Sequence, residues 1–254
     1  MDLLERKTPH GTSIQYASGD LQFGELRLPS GSGPHPVVMF IHGGCWMSKL
    51  PSLPVEATSL DLLRPMTAAL AAAGIATWNV EYRRIGNPGG GWPGSLDDIR
   101  AAAAHLLKLS RTHNLDLERA VVAGHSSGGH LALWIAAESK SPSFRAAVNL
   151  DGPSDLKSAR AHERKICGTA AITNFVGGSP EDKPERYEQL AAWPAGKVEF
   201  VGGSLLRGMP DQVKLARERN ANMTELPEAG HFDMLAPQSP QWQAVLEIFE
   251  SLMQ

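Results

Sequence analysis

Apolar positions recur along this chain with two periods. In "SIQYASG" (13–19) and "LQFGELRLP" (21–29) they alternate with polar residues, which predicts an opening antiparallel pair of half-buried strands. "PVVMFIHGG" (36–44) is a continuous apolar run and predicts a strand buried on both faces. "SLDLLRPMTAALAAAG" (59–74) has helical spacing and ends on Gly74, a predicted C-cap. Buried strand "IATWNVEYR" (75–83) follows. "GSLDDIRAAAAHLLKLSRTHN" (94–114) is the clearest helix, with Ser95 as predicted N-cap and Asp97 and Asp98 suited to the positive end of its dipole.

The alternation continues with strand "RAVVAGHS" (119–126), helix "SGGHLALWIAAES" (127–139) and strands "FRAAVNLDG" (144–152) and "KVEFVGG" (197–203). Helix "PDQVKLARERN" (210–220), strand "NMTELPEAG" (222–230) and helix "PQWQAVLEIFESLM" (240–253) close the chain. Strands alternating with helices specify an α/β fold with a mostly parallel, doubly wound sheet. Residues 153 to about 194 break this rhythm with glycine, proline and charge, as a lid inserted above a single domain would.

Composition narrows the function. The 254 residues are 42% hydrophobic and 20% charged, as in an ordinary soluble globular protein. A formal charge of −3 without a dense basic run gives no reason to expect nucleic acid or an anionic membrane as partner. No window approaches a membrane span, and "MDLLERKTPHG" lacks the apolar stretch of a secretory signal, so a cytoplasmic location is expected. Cys45 and Cys167 are too few for a disulfide scaffold and lack metal-ligand spacing. They could meet across a site, although a cytoplasmic chain would keep them reduced. No metal and no organic cofactor is called for.

Chemistry enters at Gly124-His125-Ser126-Ser127-Gly128, a G-x-S-x-G pattern between an apolar strand and a helix. A tight turn there would hold Ser126 above the sheet, beside a helix N-terminus that favours developing negative charge. "FIHGGCW" (40–46) ends another strand in a double glycine. The amides of Gly43, Gly44 and Cys45, with that of Ser127, would form an oxyanion hole. In "PEAGHFDML" (227–235), His231 follows the last strand at the same sheet edge, in the chain order of a general base. Trp46 and Trp92 are candidate substrate-binding residues, and His125 is expected to pack or hydrogen-bond locally.

With "HGGCW", "GHSSGGH" and "AGHF" in this order, the chain resembles the alpha/beta-hydrolase superfamily, in its HGG-type esterase and lipase-like branch. That branch includes small acyl esterases and arylformamidases of the kynurenine formamidase kind. The resemblance implies an alpha/beta-hydrolase fold from about residue 20 onward. It implies a serine hydrolase that cleaves a small carboxylic ester through an acyl-enzyme, with a small-molecule acyl substrate. Arylformamidase-like amide hydrolysis, acyl transfer or cyclisation, and a non-catalytic binding role on the same scaffold are the alternatives. Oligomeric state stays open.

One position departs from the pattern. Where the family usually carries its acid, "VGGSLLRGMPDQV" has Ser204, Leu205 and Leu206. Asp151, at the end of the preceding parallel strand, is the candidate orienting acid. Asp155 and Asp211 are alternatives, each with a simpler local use as a helix-terminal residue.

Overall fold

Why the run 36–44 is apolar throughout becomes plain from its surroundings. A computed structural model describes residues 8–49 and 58–254; the first seven residues and residues 50–57 lie outside them. Strands β1 (Thr12–Gln15), β2 (Phe23–Arg27), β3 (His35–Ile41) and β4 (Ala76–Val80) are followed by β5 (Leu115–His125), β6 (Ala146–Leu150), β7 (Lys197–Gly202) and β8 (Asn222–Glu225). They form one eight-stranded sheet in the order β1-β2-β4-β3-β5-β6-β7-β8. The β1–β2 and β2–β4 pairs are antiparallel, and β3 to β8 run parallel. This is the mostly parallel α/β sheet that the alternation of strands and helices specifies.

Helices α1 (Arg64–Ala72), α2 (Gly94–His113) and α3 (Ser127–Glu138) are the crossovers of the first half. Alternate residues of β3 face opposite sides of the sheet. Val37, Met39 and Ile41 join a core with α2 and α3, whereas Val38 and Phe40 pack with α1 and with the last helix, Trp242–Leu252. Both faces are covered, and an apolar strand follows.

Residues 153–194 carry four short helices, α4 (Leu156–Ala159), α5 (Glu163–Cys167), α6 (Ala171–Val176) and α7 (Pro184–Leu190). Leu156, Ile172, Phe175 and Leu190 are buried in the same core as α3. The insertion is therefore fastened to the sheet's helical layer. Helices α8 (Ser204–Arg207), α9 (Pro210–Glu218) and α10 (Trp242–Leu252) complete the chain.

Two cap assignments differ in detail. Ser95 sits inside α2, whose N-cap is Pro93; its hydroxyl accepts from the Gly91 N–H at 2.9 Å and donates to the Arg83 carbonyl. A serine competent to cap has been turned toward the preceding loop by the bend at Gly91, which has φ +85°. Gly74, with φ +93°, lies one residue beyond the cap Ala73, where left-handed backbone ends a helix.

Candidate active site

The parallel strands deliver their C-terminal ends to one edge, where ligands of open α/β sheets bind. At the end of β5 the chain turns sharply into α3. Ser126 has φ 56° and ψ −124°, and its N–H donates to the Leu150 carbonyl at 2.9 Å. A serine in this region costs on the order of 1–3 kcal/mol, which the surrounding contacts must hold. The turn fits only because glycines flank it. A Cβ at Gly128 would fall onto the Ile41 carbonyl, and one at Gly43 would lie 2.7 Å from the His125 carbonyl and 2.9 Å from the Ser126 Cβ. Elbow and HGG segment are in backbone contact, so neither could be widened alone.

Asp151 stands at the end of β6 with φ 53° and is completely buried. Its Oδ2 accepts from His231 Nδ1 at 2.7 Å. Gly203 and Leu206 donate their N–H groups to Oδ1 at 2.7 and 2.9 Å, and Leu205 donates to Oδ2 at 3.0 Å. Burial opposes the charged form, but the hydrogen bond and charge of His231, with the Leu206 and Leu205 amides, outweigh it and hold the carboxyl below its usual pKa. The apolar side chains at 205 and 206 thus hide a polar function. The main chain entering α8 is the cradle of the Asp151 carboxylate.

The double glycine at 202–203 was the sequence signal for this. A Cβ at Gly203 would come 3.0 Å from Asp151 Oδ2, so the backbone can approach only without one. Asp155 and Asp211 are engaged elsewhere. Asp155 caps α4 through Ser158 N at 2.8 Å, and Asp211 meets His162 Nε2 at 3.2 Å.

His231 is held from behind as well. The ring of His125 hydrogen-bonds through Nε2 to the His231 carbonyl at 2.8 Å and packs 4.4 Å from the His231 ring. His125 is fully enclosed; desolvation, and then the charge of His231, push its pKa far below the ordinary histidine value. A neutral imidazole donating at Nε2 is the result, a contact across 106 residues of sequence that local reading could not supply.

In the HGG segment, Gly44, Cys45 and Trp46 all have positive φ, at 105°, 52° and 56°. Among the described residues, no protein acceptor is found for the N–H groups of Gly44, Cys45 and Ser127, and Ser127 opens α3, where no intrahelical acceptor exists. The Trp46 N–H, by contrast, points to Ser127 Oγ at 3.4 Å. Behind them, the ring of His42 is bonded to Glu81 Oε1 at 2.9 Å and stacks on Tyr82 at 4.5 Å. Arg84 completes this buried cluster at 3.0 Å from Glu81. Glu81 was not singled out by sequence, since it lies one residue beyond β4 in an apolar run.

Two clefts meet at Ser126. A cleft of about 180 Å³ is bordered by Gly43, Gly44, His125, His231 and Phe232. A narrower recess of about 30 Å³ is walled by Trp46, Ile166, Cys167, Leu205 and Met209. Trp92 lines neither. Its Nε1–H donates to Gln189 at 3.1 Å and Arg186 covers its ring at 3.9 Å, so it fastens α7 instead of bordering substrate space. The expectation of reduced thiols is also corrected: Cys45 and Cys167 are joined in a disulfide, with Cα atoms 5.9 Å apart. The fold of α5 across the HGG segment makes them neighbours, which their separation of 122 residues concealed. Among the described residues no group of three or more His, Cys, Asp or Glu could hold a metal ion, and no helix is long and apolar enough to cross a membrane.

Comparison with known proteins gives the family and the fold. The BD-FAE family model matches residues 25–199, more than half of the sequence and including the HGG segment, the elbow and Asp151. The chain belongs to the BD-FAE family. Kynurenine formamidase of Meyerozyma guilliermondii is 30% identical over 123 residues, which span 48% of this chain and 41% of that protein. Among solved structures, esterase B from Lactobacillus rhamnosis superposes with a TM-score of 0.74 at 18% identity, covering 95% of this chain and 84% of that one. Esterase LipW from Mycobacterium marinum gives 0.67 at 20% identity, covering 95% and 80%. At such identities the structural likeness establishes the alpha/beta-hydrolase fold. Family and fold agree with the esterase and lipase-like branch that the sequence resembles.

Proposed function

We propose that this member of the BD-FAE family is a serine-dependent hydrolase of small carboxylic esters. The observation that carries the reading is the 2.7 Å contact between Asp151 Oδ2 and His231 Nδ1 beside a strained Ser126. Asp151 fixes the His231 tautomer with its proton on Nδ1, leaving Nε2 to accept the Ser126 proton. The alkoxide attacks the ester carbonyl. Amides of Gly43, Gly44, Cys45 and Ser127 receive the negative oxygen, a contribution of a few kcal/mol per donor to the transition state. His231 then protonates the departing alcohol, and water releases the acyl group by the same steps in reverse.

The two clefts suit an unequal substrate. The recess of about 30 Å³ beside Trp46 suits a small acyl group, and the larger cleft beside His231 and Phe232 suits the leaving group. A formamide is the second reading, supported by the local identity with kynurenine formamidase. Its formyl group is smaller still. The disulfide described above disfavours a reducing cytoplasmic location.

Intact mass after exposure to a small fluorophosphonate tests the proposal. A single adduct on the wild type that is absent from Ser126→Ala is expected. No adduct on folded wild-type protein would overturn the hydrolase reading in favour of a binding role.

A further inference from the structure

The Cys45–Cys167 bond joins the oxyanion loop to the insertion. We propose that this disulfide is a redox-controlled brace that sets the Cys45 N–H for catalysis, which makes Cys167 a positioning residue acting through Cys45. The inference rests on the hydrolase reading above.

The two consecutive left-handed residues of the loop are held in different ways. Trp46 is fixed by packing: it stacks on Phe175 at 5.3 Å, meets His130 edge-on at 6.4 Å, and its carbonyl accepts from Ile85 N at 2.8 Å. Phe175 lies in α6, so the insertion already grips the loop at one point. Cys45 is flanked on its other side by two glycines and makes no side-chain hydrogen bond; the Gly44–Cys45 peptide is held by one main-chain bond, Met47 N–H to the Gly44 carbonyl at 2.9 Å, and the Cys45 side chain by the bond to Cys167 at the end of α5. L-residues leave the left-handed region when nothing holds them there. Opening the disulfide leaves the Gly44–Cys45 peptide held only by the Met47 N–H bond to its carbonyl, a single contact that must then keep two left-handed residues in place; when it breaks, the peptide rotates and carries the Cys45 N–H away from Ser126. It also frees Ile166, the exposed neighbour of Cys167 that borders both clefts.

The chemistry balances with a dithiol as the reductant. One thiolate attacks a sulfur of the bond to give a mixed disulfide, and the second thiolate displaces the protein sulfur. The reductant closes to its own disulfide, and Cys45 and Cys167 take up two electrons and two protons as thiols. Both cysteines are only partly buried, so a small dithiol can reach them.

The test measures turnover of p-nitrophenyl acetate by the full chain as isolated, after dithiothreitol, and after reoxidation, at a temperature where circular dichroism shows the same fold throughout. Loss of an oxyanion donor costs about 10²–10³ in rate. A loop that only samples the misdirected state is expected to lose roughly tenfold or more in kcat. KM should change little, because a brace of the transition-state site is distinguished from a fold defect by that split. The rate of fluorophosphonate labelling should fall in parallel and return on reoxidation. Cys167→Ser should show the low kcat from the start and ignore dithiothreitol.

Unchanged kcat on reduction, or alkylation of both thiols in air-oxidised native protein, would overturn the brace while leaving the hydrolase reading intact. Absence of both turnover and adduct in the oxidised protein would overturn the two together.

Discussion

Replacing Asp151 by asparagine changes one atom, and its effect can be worked out from four hydrogen bonds. Oδ1 receives the N–H groups of Gly203 and Leu206, while Oδ2 receives Leu205 N–H and His231 Nδ1. The NH₂ of an asparagine must take one of these places. At Oδ1 it would face two main-chain donors that have no other choice. At Oδ2 it faces one such donor and an imidazole that can shift its proton. Asp151→Asn is therefore expected to put NH₂ toward His231, drive that ring into the Nε2–H tautomer and leave no base for Ser126. In a serine protease the equivalent change costs about 10⁴-fold in kcat, or roughly 5.5 kcal/mol of barrier. The Leu205 N–H, left facing a donor, should lower stability by about 1–3 kcal/mol. Kinetics on p-nitrophenyl acetate, with nitrogen NMR of the His231 ring and a urea melt, read all three quantities. A folded Asp151→Asn protein with kcat/KM within tenfold of wild type would refute the reasoning and remove Asp151 from its role.

Other outcomes follow from the same geometry. His125 and His130 are buried as neutral rings, the latter with its pKa pushed down to about 4 by desolvation. Their contribution is complete above the unfolded value of about 6.5 and is lost as pH falls toward the folded values, so stability should drop by up to about 1.4 kcal/mol per pH unit for each ring. Urea unfolding at pH 8, 6 and 5 checks this, and a flat profile would contradict it. Asp151, with a lowered pKa, contributes above the carboxylate range and is lost only as pH falls below about 4. Gly43→Ala, whose Cβ would press on His125 and Ser126, should depress kcat at least tenfold by displacing the HGG segment proposed to hold the oxyanion; equal kcat would show that segment to be free of the turn at Ser126. Glu81→Gln would leave Arg84 buried without its carboxylate, and a loss of about 3–5 kcal/mol in urea unfolding is expected. A loss below 1 kcal/mol would mean that water reaches the pair.

Features that depend on neighbours in the chain are legible in its residues. Alternation in β1 and β2, the apolar run of residues 36–41 in β3 and helical spacing in α2 and α3 were each set by which faces must be buried. The glycines around Ser126 were legible because a strand-to-helix turn is closed by residues within a few positions of one another. Tertiary structure alone decided the rest. Asp151 meets His231 across 80 residues and Cys45 meets Cys167 across 122, distances over which no local pattern carries information. The cradle at Gly203, Leu205 and Leu206 was hidden for a different reason. Its donors are main-chain N–H groups, identical in nearly every residue, and only the path of β7 into α8 aims them at the carboxylate. Trp92 and Ser95 show the same limit in reverse, since each has a side chain capable of the expected role and a backbone that points it elsewhere.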